Sequence, residues 1–165
     1  MAEFHVTGLA DLQKFLDQLP AKIEKNIMRG ALRAGMNTVK PVAKANVHSV
    51  SGLLAAGLKV STRARGGRVT ASLKATGPHA YVAKWVEFGT RAHNISAKLG
   101  GWLSFMNIFR KEIAHPGTSP RPFMRPALDG QAQNAVIAAA EYMKKRLATK
   151  EGLDTSHITI EGDEP

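Results

Sequence analysis

Apolar residues recur along much of this chain at helical spacing. Over LADLQKFLDQL, Leu9, Leu12, Leu16 and Leu19 fall on one helical face. Pro20 follows, and proline is well tolerated in a first helical turn. The stretch AKIEKNIMRGALRAGMNTVKPVAKANV then carries a stripe of Ile23, Ile27, Ala31 and Ala34, widened by Met28, Leu32, Met36 and Val39. It predicts a long amphipathic helix over about 20–47, with Pro41 kinking it or marking its last turns. The same spacing returns late in the chain, where Leu128, Ala132, Ala135, Val136, Ala139, Met143 and Leu147 predict a helix over about 126–149. Lys144, Lys145, Arg146 and Lys150 crowd its end, where the helix dipole favours cations.

Between the helices the period changes to two. LKVSTRAR and RVTASLKA flank Gly66-Gly67, which predicts a β-hairpin over about 57–76. With the glycines as the turn, Leu58 faces Ala75, Val60 faces Leu73, and Ala64 faces Val69. The other face pairs Lys59 with Lys74 and Arg65 with Arg68, and holds Arg63. Like charges directly opposite one another are destabilising, so this face either meets acid or splays into water. EFHVTG, residues 3–8, is a short strand candidate.

Residues 79–94, HAYVAKWVEFGTRAHN, sort better as a helix than as a strand. Tyr81, Val82, Trp85 and Val86 then lie on one side, Lys84 and Glu87 on the other, and Gly89 is the C-cap. Residues 91–119 read as a long insertion. Its WLSFMNIFRKEI is apolar nearly all round, which fits a packed helix or a contact arm for another subunit; Trp102, Phe105, Met106 and Phe109 are its large groups. Residues 151–165 read as a mobile acidic tail, although HITIE could add a strand to a sheet edge.

Composition narrows the function. The 165 residues include no cysteine, which removes disulfides, thiolate zinc sites and cysteine nucleophiles. No apolar run approaches the roughly 20 residues of a membrane span, and MAEFHVTG lacks a signal-peptide core, so a soluble protein made in a cytoplasm is expected, with no membrane partner. Five of the 13 acids lie in the last 15 residues, which hold no Lys or Arg, so residues 1–150 carry 23 basic against 8 acidic side chains, a balance of +15. That points to an anionic partner or a solvated surface, and keeps a small basic nucleic-acid-binding protein as an alternative function.

No phosphate loop, nucleophile elbow or HExxH is present, and the six histidines have no ligand spacing. Convergence of His79, Glu87, His93 and His115 in space is the one route to a metal site. Neither an enzyme nor a cofactor is expected, with so few carboxylates for acid–base work. Glu87 is the suggestive acid. It sits two residues before a helix-ending glycine, where the dipole disfavours it, so a cation should hold it: Arg91 nearby, or Arg121 or Arg125 in RPFMR, stiffened by Pro122 and Pro126.

The series GLADLQKFLDQLP, AKANV, SGLLAAGLKV, YVAKWVEFGT and RPFMRPAL resembles, over about residues 4–148, the tail-completion or neck proteins of long-tailed bacteriophages, the gp-ten-like family named after an HK-type lambdoid phage. The matching positions are Tyr81, Glu87, Phe88, Gly89 and Thr90, then Pro122, Phe123, Arg125, Pro126 and Ala127. The insertion and the acidic tail go beyond the family pattern. The resemblance implies an α+β fold, with a small antiparallel sheet under the long helix, in a single domain over 1–150. It implies a structural virion protein at the head–tail junction or tail end, made in the host cytoplasm. Its partners would be its own copies in a ring, a hexamer by the family's pattern, neighbouring connector, head-closure, tail-terminator or tail-tube proteins, and genomic DNA passing through the channel.

Overall fold

The computed structural model describes residues 6–47, 52–97, 100–105 and 108–161. The fold is α+β. In chain order it runs α1 (Leu9–Asp17), α2 (Ala21–Asn46), α3 (Leu53–Ala56), β1 (Leu58–Arg65), β2 (Arg68–Ala75), α4 (Ala80–Phe88), β3 (His93–Ser96), β4 (Leu103–Phe105), β5 (Ile108–Arg110), β6 (Glu112–His115) and α5 (Met124–Glu151).

α2 is the central element, packing along α5 and across both strands of the β1–β2 hairpin. Its buried positions, Ile27, Ala31, Gly35, Val39 and Ala43, recur every four residues and make one seam. At Gly35 a side chain would overlap the Ala135 carbonyl, so glycine sets how closely α5 approaches. Pro41 falls in the last turns of the helix, as expected. It lies on the exposed side, and α2 continues to Asn46.

The core divides between the two ends of this helix pair. One cluster joins Leu12 and Leu16 of α1 to Ile27, Ala31, Ala140, Met143 and Leu147, and takes in Ile158. The segment expected as a mobile tail therefore packs, through residue 161, on the first core cluster. Ile158 is buried, Lys144 Nζ donates to the Ile158 carbonyl, and the Thr7 N–H donates to the Glu161 carbonyl at 3.0 Å. That contact is the trace of the two strands considered at 3–8 and 157–161; residues 3–5 and 162–165 lie outside the described residues. The second cluster joins Val39 and Ala43 to Leu54, Leu58, Ala83, Phe123 and Ala127.

Among the described residues, strand pairing forms three small two-stranded antiparallel sheets. The hairpin has the register read from the sequence, Leu58 to Ala75 through Arg65 to Arg68. Its two-residue turn needs positive φ at both positions, and Gly66 and Gly67 supply 55° and 74°. The insertion is a β-ribbon. β3 pairs β6, and farther along β4 pairs β5. This replaces the packed-helix reading of WLSFMNIFRKEI: within it, residues 103–105 and 108–110 are extended strands that pair with each other.

Candidate functional site

The end of α4 and the start of α5 meet at Glu87. The residue is only 9% exposed. Oε2 accepts the backbone N–H groups of Phe123 and Met124 at 2.8 and 2.9 Å, and Oε1 accepts that of Arg125 at 3.0 Å. A helix opens with four amides that lack an intrahelical acceptor. In α5 these belong to Phe123, Met124, Arg125 and position 126. Glu87 takes three, and the fourth position is proline, which has no N–H. Phe123 provides no capping side chain of its own. Burial by itself raises the Glu87 pKa; the N–H groups of Met124, Phe123 and Arg125, with the charge of Arg125, outweigh it and hold the group below its ordinary value.

The expected arginine clamp is thus replaced by a backbone clamp. The Arg125 guanidinium approaches Asp129 at 3.9 Å, with both side chains exposed. The Arg121 side chain is exposed, while its N–H donates to the Val86 carbonyl at 2.8 Å. RPFMR grips the end of α4 through main-chain amides. The N-terminal dipole of α5 also favours the carboxylate that the C-terminal end of α4 disfavours. Phe123, fully buried, fixes the junction to the core.

Turning Glu87 and Ala83 inward turns the aromatics of α4 outward. The sequence groups Tyr81 and Trp85 with Val82 and Val86 on one side, opposite Lys84 and Glu87; in the fold the valines are half-buried, the aromatics are exposed, and Glu87 is buried. Tyr81, Trp85 and Phe88 lie at i, i+4 and i+7, one stripe. The first two rings meet edge to face at 5.0 Å, and Phe88 is 72% exposed. Beside Phe88 an open groove of about 850 Å³ runs between α2, β2, α4 and the start of α5, lined by Met36, Leu73, Ala83 and Leu128.

Gly89 then turns the chain with φ 69° and ψ −175°, a conformation essentially confined to glycine. A Cβ here would overlap the Thr118 carbonyl. The ribbon begins at this point, closed at its root by the paired N–H to carbonyl bonds of Thr90 and Thr118, at 2.9 and 3.0 Å. Thr90 of the motif is therefore a clamp. Of the expected arm residues, Trp102 and Phe109 are each 61% exposed, with Lys111 over the Trp102 ring. Phe105 pairs with Ile108 in the ribbon. Met106 lies outside the described residues. Cross-strand partners Ile95 and Ile113 are also exposed.

The histidines do not make the four-residue cluster considered above. His93 and His115 stack across the ribbon with ring centres 5.0 Å apart, but no three potential metal ligands come together among the described residues. Lys59, Arg63, Arg65, Arg68 and Lys74 share one exposed hairpin face, as the register requires.

Residues 10–89 match the model of the HK97-gp10-like family, whose description reads "Bacteriophage HK97-gp10, putative tail-component". The match takes in α1, α2, the hairpin and α4 as far as Gly89; the ribbon, RPFMRPAL and α5 lie beyond it. No curated protein and no solved structure matches the chain.

Proposed function

With residues 10–89 in the HK97-gp10-like family of phage tail components, we propose that the chain is a structural virion protein that forms a ring at the head–tail junction or tail end. There it completes the tail and joins it to the head, with a channel left for the genome, and it works through contacts, without catalysis. Its partners would be further copies of itself, six in the family's pattern, and neighbouring connector, head-closure, tail-terminator or tail-tube proteins.

The observation that carries this reading is where large apolar side chains are exposed. Among the described residues, eight of the eleven exposed large hydrophobics fall between 81 and 113, on the α4 stripe and the ribbon that follows it. Exposed aromatic and aliphatic groups gathered in this way are what protein interfaces use as anchors. A ribbon clamped at its root and carrying exposed apolar groups suits an arm to the next subunit, and a heterologous contact of this kind makes a ring when its rotation closes. Electron microscopy of particles made without the protein tests the proposal. Heads and tails that fail to join, or tails of abnormal length, support it; complete, infectious particles overturn it.

A further inference from the structure

The outer face of the β1–β2 hairpin is an array of four cross-strand rows: Lys59 opposite Lys74, Ser61 opposite Ser72, Arg63 opposite Thr70, and Arg65 opposite Arg68. The inner face, with Leu58, Val60, Ala71 and Leu73, is the one that packs toward α2. Every side chain of the outer array is a hydrogen-bond donor, and five are cations. None is apolar and none is acidic. The ion pairs among the described residues, Lys14 with Asp11 and Arg125 with Asp129, involve none of these five. Like charges facing each other work against the hairpin, so the arrangement is retained at a cost to folding.

A protein partner fits such a face poorly. Interface cores are depleted of charge and built on apolar and aromatic groups, and this array offers no such centre. A row of phosphates fits it. Strand residues on one face recur about every 6.8 Å, so the four rows span roughly 20 Å, about six phosphates of one DNA strand at 3.4 Å each along the axis. Arginine grips phosphate oxygens through paired N–H groups, and the interleaved Ser61 and Ser72 hydroxyls add further donors, while that of Thr70 donates to the Arg63 carbonyl. We propose that this face binds the phosphodiester backbone of duplex DNA. The inference stands on the hairpin alone and does not require the chain's place in a virion.

The test is fluorescence anisotropy of a labelled duplex against the full chain over a series of salt concentrations. Binding should weaken steeply with salt, and Arg63→Gln/Arg65→Gln should flatten the log–log slope by about 1.8, at about 0.9 per lost phosphate contact. The charge-matched pair Lys145→Gln/Lys150→Gln, on α5 outside the array, should change the slope little. On the unaltered chain, DNA should protect Lys59 and Lys74 from amine acetylation while Lys145 stays reactive. Absence of DNA binding overturns the proposal. So does equal loss in both double variants, or uniform acetylation of all three lysines. Equal affinity for polyglutamate would assign the face to an acidic protein and overturn it as well.

Discussion

The Glu87 carboxylate accepts the N–H of Phe123, 36 residues farther along the chain, at 2.8 Å. With its bonds to Met124 and Arg125, one acidic side chain at the end of α4 serves as the N-terminal cap of α5. The end of α4 and the start of α5 are joined through this group.

Removal of that cap should therefore be costly. Glu87→Ala strands three amides, one fully inside the core, and should lower stability by about 2–4 kcal/mol. Arg125→Met, which removes only an exposed pair with Asp129, should cost under about 1 kcal/mol. Urea denaturation of both variants checks this. The reverse ranking would restore the arginine clamp.

Acid should weaken the same junction. The Glu87 pKa is lower in the folded chain than its ordinary 4.5. Its contribution to stability is then complete above the unfolded-state value and is lost as pH falls through the folded-state value. In denaturation curves taken from pH 6 down to about pH 3, the wild type should lose more stability than Glu87→Gln. Parallel losses in the two proteins would refute this.

Gly89 should resist substitution. Its φ of 69° with extended ψ, together with the overlap a Cβ would make with Thr118, should make Gly89→Ala cost more than about 2 kcal/mol. Thermal denaturation with unchanged midpoint would contradict the clamp at the ribbon's root.

The ribbon should be dispensable for folding. Deleting residues 92–116 leaves Arg91 and Gly117 as a two-residue turn between the bonded Thr90 and Thr118. The shortened chain should keep its stability within about 1 kcal/mol and fail to assemble. In a variant keeping only Trp102, emission should shift to the blue on assembly.

Much of the fold is legible in the sequence where one local pattern decides the outcome. Gly66-Gly67 between two alternating runs leaves one register for the hairpin, and the stripes in α2 and α5 give those helices to within a few residues. The Glu87 site is only half legible. A scarce acid at a helix end signals a partner, but a long-range contact to backbone amides has no residue type to announce it. The available hint is at the other end: α5 opens on Phe-Met-Arg-Pro with no capping side chain, so an acceptor has to come from elsewhere. The ribbon is hidden because WLSFMNIFRKEI alternates imperfectly and successive residues of β5, and of β6 up to Ala114, are exposed on both faces. The docking of Ile158 depends on space left between α1 and α5, which no local pattern encodes.

The aromatic face of α4 is the center of the functional account, and the triple variant Tyr81→Ala/Trp85→Ala/Phe88→Ala tests it most directly. These side chains are more than half exposed, so the isolated chain should stay folded with a nearly unchanged melting midpoint. Quantitative mass spectrometry of purified particles should find the variant missing from them, with the wild-type chain present in fixed copy number. Incorporation of the variant at the wild-type copy number would contradict the account.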